Sequence, residues 1–188
     1  MLKTIKMEDT IIRNAVKDDF AFIAEVVVMA LGSGKEHPLY DIFCELAARE
    51  DTQYSYRNTL IAENRGCRVG AIVAYDGALL HSLRHPLLEL IEARMGYTMN
   101  IENETEAGEY YFDSLAVIPS HRGMGIGALL LKAMRDKALS EGHKRIGLLV
   151  DFDNPKAEKL YSSLGFERIN ETAFLGHRMW HMQYSDVN

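Results

Sequence analysis

The residues with the clearest chemical potential form a glycine-rich run, Arg122-Gly123-Met124-Gly125-Ile126-Gly127-Ala128. An aromatic, apolar stretch at 110–117 precedes it and an amphipathic pattern at 128–139 follows it, so it connects a predicted strand to a predicted helix. A helix N-terminus exposes unpaired backbone N–H groups and carries about half a positive charge. Because glycine lets an anion approach those groups closely, the run predicts a phosphate-binding turn.

The spacing leaves several phosphate ligands to compare. Gly123-x-Gly125-x-x-Ala128 fits the loose dinucleotide fingerprint, but it lies late in the chain and directly after an arginine, which argues against a nicotinamide domain. The Walker phosphate loop is excluded because no Gly-Lys-Ser/Thr follows. A turn that only connects a strand to a helix stays open on this run alone.

A second group of residues follows a predicted strand at 145–150. Asn154 and Pro155 are typical of a helix start, because asparagine caps the first turn and proline suits the first helical position. The predicted helix, 156–164, places Ala157 and Tyr161 one turn apart on the same face.

Together the two groups resemble the GNAT superfamily of acyl-CoA-dependent N-acyltransferases. The matching pattern is Arg122-x-x-Gly125-x-Gly127, a strand, then Asn154-x-x-Ala157-x-x-x-Tyr161-x-x-x-Gly165-Phe166. It covers residues 109–170 closely, and the element order from residue 10 fits more loosely. The resemblance implies an α/β GNAT fold, with a mixed, mostly antiparallel central sheet, helices on both faces and a V-shaped splay between the two central strands.

The resemblance also implies acetyl-CoA as co-substrate and places it. The pantetheine arm is expected between the splayed strands, with its amides on the open edge formed by Leu115, Ala116 and Val117. The pyrophosphate is expected on the amides of the run from Arg122 to Ala128, with charge added by the Arg122 side chain. Asn154 and Ala157 are expected beside the cofactor, although Asn154 is also explained by helix capping alone.

Acetyl transfer from a thioester to an amine needs a base for the amine and an acid for the departing thiolate. The resemblance points Tyr161 toward the cofactor sulfur as general acid, against a packing role. Asp113, in the central strand, is the candidate base, and strand alternation puts it on the face of Leu115 and Val117. It could equally bind the acceptor's ammonium group or a neighbouring amide. Glu109 and Tyr111 are substitutes, and a backbone N–H near Val117 is the candidate oxyanion donor.

Composition limits the function classes. The 188 residues suit a single domain spanning 1–188, with a core at about 10–184. A net charge of −6 argues against nucleic acid as the main partner. No apolar run reaches the roughly 20 residues that span a bilayer, and the start of the chain lacks a signal-peptide core. Two cysteines favour a reduced, cytoplasmic setting. The pairs His81/His85 and His177/His181 have metal-like spacing, but no metal is expected.

An insertion at about 76–108 departs from the family pattern, where a short turn of 2–5 residues is usual. Helical character at 78–93 is expected to be interrupted by Pro86, and 100–108 is expected to be acidic and exposed. The segment from Asp76 to Glu109 contains seven acidic residues and only two arginines. This excess of negative charge favours a cationic acceptor that is recognised by the insertion. Two roles of the insertion remain open: an acceptor-binding lid, and a decorative or dimer-forming helix. A dimer-forming helix would make the protein a homodimer.

The function predicted from the sequence is transfer of an acetyl group to a primary amine of a small-molecule or peptide acceptor, without nucleic-acid or membrane partners. The alternative is an acyl-CoA-binding sensor or assembly module with little catalysis.

Overall fold

The computed structural model describes residues 9–186, which form seven strands and five α-helices. Their bounds are β1 Thr10–Asn14, α1 Phe20–Ala30, α2 Tyr40–Ala47, β2 Thr59–Asn64, β3 Cys67–Asp76, α3 Leu80–Met95, β4 Tyr110–Val117, α4 Ile126–Ser140, β5 Arg145–Asp151, α5 Pro155–Ser163, β6 Glu167–Phe174 and β7 His177–Ser185. Within this range no helix is both long and apolar enough to cross a membrane.

The strands form one open sheet in the order β1-β2-β3-β4-β5-β7-β6. Every neighbouring pair is antiparallel except β4 and β5, which are parallel. That parallel pairing is short, since only Tyr110–Phe112 pair with Ile146–Leu148. Beyond this point β4 and β5 continue without pairing to each other. The predicted mixed sheet with a splay between its central strands is therefore confirmed.

Helices cover both faces of the sheet, as predicted. On one face, α4 contributes Leu130, Leu131 and Met134 to a core shared with β3, β4 and β5. On the other face, α1, α2 and α3 pack into a second core around Ile61 and Val73. α1 and α4 turn their apolar residues directly to the two faces of the sheet, and α2 packs on α1 and α3, which gives a two-sided sandwich.

The hairpin between β2 and β3 turns at Arg65 and Gly66. Both residues have positive φ angles, 50° and 77°. Two successive left-handed residues give the tight turn whose twist matches that of paired strands. This hairpin aligns β3 so that it can pair with β4, the strand of the candidate site.

The insertion forms a single continuous helix, α3, so the predicted interruption at Pro86 is wrong. Pro86 is itself buried, and its ring packs inside the protein instead of ending the helix. The helix shares its buried stripe with an arginine, in the series Leu80, Arg84, Leu87 and Ile91. The insertion is therefore part of the core.

The segment after α3 is only partly exposed, which corrects the expectation for 100–108. Glu104 and Thr105 are buried, with 6% and 7% of their surface exposed. Arg84 donates to the carbonyl oxygens of Ile101 and Glu102 and forms an ion pair with the Glu104 carboxylate. A buried cation thus holds an otherwise polar segment in place.

Candidate active site

Asp113 occupies a β-bulge in β4. Phe112 pairs with Ala74 and Ser114 with Val73, so Asp113 is the extra residue between two consecutive partners. A bulge resets the alternation of side chains. Phe112 and Leu115, three positions apart, consequently pack on the same core. The prediction that Asp113 shares a face with Leu115 and Val117 is therefore wrong.

The bulge turns the Asp113 carboxyl group toward the insertion. Ser114 Oγ donates to Oδ1 at 2.7 Å, and Gln53 Nε2 donates to Oδ2 at 3.2 Å. Burial is the largest influence on this carboxyl group and raises its pKa above the usual 3.8. The two donors and the charge of Arg84 oppose that rise without cancelling it.

Gln53 is buried, with 3% of its surface exposed. Its Oε1 atom has no hydrogen-bond partner within the described residues. The amide turns its Nε2 group to the Asp113 carboxyl group, which leaves Oε1 unpaired. A buried, unpaired acceptor is unfavourable by about 1–3 kcal/mol, so this atom marks a place where a donor is missing.

Tyr75, on β3, connects Asp113 to the insertion. Its hydroxyl group lies 2.9 Å from Glu104 Oε1 and 3.5 Å from Asp113 Oδ2. A phenol has one proton to donate, and the shorter distance assigns it to Glu104. Burial, followed by the charge of Asp113, raises the pKa of Tyr75 well above 10.0, which keeps the phenol protonated.

Tyr161 lies on α5, on the other side of the splay. The helix is capped by Asn154, whose Oδ1 accepts from the Ala157 N–H at 3.2 Å. The predicted capping role of Asn154 is thus confirmed, and the Ala157 N–H is occupied by it. Burial raises the pKa of the Tyr161 phenol from 10.0 to about 12. The phenol therefore holds its proton throughout the neutral range.

One cavity of about 500 Å³ joins these groups. Its lining includes Asp113, Ser114 and Leu115 from β4, Ala157 and Tyr161 from α5, and the capping residue Asn154. It continues between α1, α2 and the insertion, where Gln53, Tyr54, Arg84 and Glu104 also line it. The candidate base and the candidate acid thus face the same space from opposite sides of the splay.

The glycine run forms the N-terminal turn of α4. Gly123 and Gly125 have φ angles of 76° and 81°, a left-handed conformation that favours glycine, and Gly125 is the N-cap residue. A Cβ atom at Gly127 would lie 3.8 Å from Leu160, an ordinary contact, so protein packing does not require glycine there. Arg122 Nε donates to the Val117 carbonyl oxygen at 2.9 Å and ties the turn to the end of β4.

The edge of β4 that faces the splay is defined by its backbone pairing. The Ile118 N–H donates to the Val69 carbonyl of β3. Because backbone groups alternate between the two edges of a strand, Leu115 and Val117 turn their amides toward β5, whereas Ala116 turns its amide to β3. Of the three residues expected to form the open edge, Leu115 and Val117 therefore present backbone groups to the splay, whereas the backbone amide of Ala116 points away from it.

Sequence reasoning missed Gln53 and Tyr75, and it counted Arg84 and Glu104 only as charges of the insertion, not as a buried pair. Arg84 carried a usable signal, because it occupies a helical stripe otherwise made of Leu80, Leu87 and Ile91, and a cation there requires a buried partner. Gln53 carried none, since it lies in an irregular stretch without periodicity.

The histidines with metal-like spacing have carboxylate neighbours in the structure. His177 Nδ1 lies 2.8 Å from Asp151, and His181 Nε2 lies 3.0 Å from the buried Glu109. Across residues 9–186, no group of three or more His, Cys, Asp or Glu side chains is arranged to hold a metal ion.

Comparison with known proteins agrees with this geometry. The profile of the Acetyltransferase (GNAT) family matches residues 29–166. A crystal structure of an acetyltransferase is 34% identical with a TM-score of 0.79, over 93% of this chain and 98% of that one. A putative acetyltransferase from Salmonella typhimurium with its cofactor acetyl-CoA has a TM-score of 0.63 at 19% identity, covering 96% of each chain, and supports the fold.

Among curated relatives, thialysine N-epsilon-acetyltransferase from Mus musculus is 36% identical over 62 residues, which is 33% of this chain and 36% of that protein. The match thus spans about a third of that relative's length. The profile covers most of the present chain, including the splayed strands, the glycine turn and α5. The chain belongs to the GNAT family of acetyltransferases.

Proposed function

We propose that the chain transfers an acetyl group from acetyl-CoA to a primary amine by direct attack of the amine on the thioester. The observation that carries the proposal is the shared cavity, in which Asp113 and Tyr161 face one space beside an open strand edge. Burial raises the pKa values of both side chains, so Asp113 gains affinity for the proton that it must accept and Tyr161 keeps the proton that it must donate.

The binding site proposed for acetyl-CoA has two parts. The first turn of α4 presents the backbone N–H groups of Ile126, Gly127 and Ala128 to the phosphates. The left-handed conformation of Gly123 and Gly125 shapes the loop before the helix, which includes Met124. The open edge at Leu115 and Val117 offers backbone groups to the amides of the pantetheine arm. Because Arg122 Nε donates to the Val117 carbonyl oxygen, the main role proposed for Arg122 is to shape the turn, and its positive charge is a smaller contribution to phosphate binding.

The chemistry proposed for the protein side chains is proton transfer by two groups. A protonated alkyl amine has a pKa of about 10, so it must lose a proton before its lone pair can attack the carbonyl carbon. Asp113, whose pKa is raised but whose carboxylate is stabilised by two donors, accepts that proton directly or through water. The new C–N bond forms as the C–S bond breaks.

Tyr161 supplies the proton that the departing sulfur needs, and the phenolate regains one from the nitrogen, which loses its second proton as it becomes an amide. At a pKa of about 12 the phenol is a weaker acid than a thiol, at about 8.5, so it donates only as negative charge develops on sulfur. A backbone N–H on the open edge of β4 is the proposed donor to the carbonyl oxygen.

Acceptors of this reaction are small-molecule or peptide amines. The names of relatives support an amine acceptor, since thialysine N-epsilon-acetyltransferase denotes transfer to an amino group. We further propose that residues 1–188 act as one domain in the cytoplasm. The insertion at 76–108 lines the acceptor side of the cavity through α3 and the segment that follows it.

The test is incubation of the purified chain with acetyl-CoA and a panel of primary amines, with thiol release and acetylated product both measured. We expect thiol release that depends on the amine and an equal yield of N-acetyl product. Binding of acetyl-CoA without product for any amine would support the alternative of an acyl-CoA sensor. Absence of acetyl-CoA binding would contradict both.

A further inference from the structure

We propose that the cavity takes a primary amine carried on an apolar group, and that Gln53 Oε1 holds the amino group beside Asp113. This inference rests on the proposed function, because it names the acceptor for that reaction. The acceptor half of the cavity is defined here as the part between α1, α2 and the insertion.

The first observation is the missing donor at Gln53. Its amide is buried and fixed through Nε2 to Asp113, and no described residue donates to its Oε1. A primary amine has N–H groups that can be shared between an amide oxygen and a carboxylate oxygen. An amine bound there satisfies Gln53 Oε1 and is already next to the group that accepts its proton.

The second observation is the charge around the acceptor half. Arg84 and Glu104, both nearly fully buried, neutralise each other. Glu102, whose Oε2 accepts from the Leu175 N–H, is not among the residues that line the cavity. Asp151 lines the cavity at the end of β5, beside His177, so Asp113 is the carboxylate of the acceptor half left to balance one ammonium group. The expectation of a cationic acceptor read by the insertion stays a prediction, and the present proposal limits that acceptor to one positive charge.

The third observation is the composition of the walls. Apolar side chains from three elements surround the polar end of the acceptor half: Leu31, Leu39, Phe43, Leu87, Met99 and Ile101. Leu31 is 46% exposed and forms the outer end of this surface. Walls of this kind favour an alkyl or aryl group. His37, whose Nδ1 accepts from the Leu39 N–H, also lines this half but brings no carboxylate to balance a second ammonium group.

The experiment uses straight-chain primary amines from ethylamine to hexylamine, and 1,6-diaminohexane as a matched partner of hexylamine. We expect kcat/KM to rise with each added methylene, by up to about fourfold per group if each is fully buried. Hexylamine should exceed the diamine by about tenfold or more, because the second ammonium group would enter an apolar region.

Variants test the two ends of the subsite separately. Leu31→Glu should flatten the chain-length series and favour the diamine, whereas Leu79→Glu, an equally exposed leucine outside the cavity, should leave the series unchanged. Gln53→Met should raise KM for hexylamine by about tenfold while KM for acetyl-CoA stays the same. A purely structural role for Gln53 would alter both KM values together.

The failures can be told apart. If amines are acetylated but the diamine equals or exceeds hexylamine, the inference is overturned and the proposed function stands. An unchanged KM for hexylamine in Gln53→Met overturns the role of Gln53. If no amine is acetylated, the proposed function fails and this inference fails with it.

Discussion

At the scale of single residues, the proposed chemistry depends on two groups that burial affects in the same direction. Burial disfavours the charged forms of Asp113 and Tyr161, and both pKa values rise. For an acid that must stay protonated, this is helpful. For Asp113, the proposed base, burial increases the proton affinity but makes the ionised carboxylate less stable in the folded protein. Asp113 should therefore oppose stability while it supports activity.

Replacing Asp113 by asparagine should separate these effects. Asp113→Asn should reduce kcat/KM by about 10²–10⁴, the range for loss of a general base. It should also raise the free energy of unfolding at neutral pH, because no charge is buried and the new amide can donate to Gln53 Oε1. Each kcal/mol gained corresponds to about 2–4 °C in Tm.

The pH dependence of that gain has a definite sign. An acid whose pKa is higher in the folded than in the unfolded state destabilises the fold as pH rises from 3.8 through the folded pKa. The Tm advantage of Asp113→Asn should be present above this interval and vanish below it. A Tm equal to or lower than that of the unsubstituted protein at pH 7 would contradict the argument.

Tyr161→Phe should lower kcat and leave the affinity for acetyl-CoA within a few-fold. The substitution keeps the ring, which lies 6.1 Å from the Phe166 ring centroid, and removes only the proton donor. A contact made only in the transition state changes kcat without changing ground-state binding. Single-turnover rates and calorimetry would measure the two effects, and an unchanged chemical step would return Tyr161 to a packing role.

At the scale of elements, α4 provides its own control for the glycine turn. Gly125 and Gly142 lie at its two ends, with φ angles of 81° and 93°. Alanine at either position should cost about 1–2 kcal/mol through left-handed strain. Only Gly125→Ala should also weaken acetyl-CoA binding, because only that residue belongs to the proposed phosphate turn. Calorimetric titration of both variants gives the comparison; equal loss of affinity would remove the turn from the site.

Local patterns were enough to predict most of these elements. The β2–β3 hairpin, β4, α4 and the capped start of α5 follow from turn residues, hydrophobic periodicity and capping signals, all of which act within a few residues. The bulge at Asp113 could not be read in this way, because it is defined by the register between β3 and β4. Pro86 misled the prediction because a proline usually ends a helix, whereas core packing sustains this one.

At the scale of the whole molecule, the insertion is joined to the catalytic strand by buried polar groups. Arg84 pairs with Glu104, Tyr75 donates to Glu104 and lies near Asp113, and Gln53 donates to Asp113. These contacts bring together α3, the segment after it, β3 and the irregular stretch before β2. No local pattern encodes such distant partners, which explains why the acceptor side was the least predictable part of the site.

Breaking this connection on one side should destabilise the whole molecule. Arg84→Met leaves Glu104 buried without its cation, and removal of one partner of a buried pair costs about 3–5 kcal/mol. The double variant Arg84→Met with Glu104→Gln should recover part of this loss, since neither charge remains and the introduced amide keeps an oxygen that can accept from Tyr75. Urea unfolding of the single and double variants measures both values.

A surface pair on the same helix provides the control. Arg94 of α3 forms an ion pair with Glu45 of α2, and both side chains are more than 40% exposed. Arg94→Met should therefore cost less than about 1 kcal/mol. Arg84 also lowers the pKa of Asp113 through its charge, so Arg84→Met should shift the acidic limb of the kcat/KM profile to higher pH, whereas Arg94→Met should not. Equal unfolding losses for the two arginine variants, with identical pH profiles, would mean that the insertion covers the catalytic strand without being coupled to it.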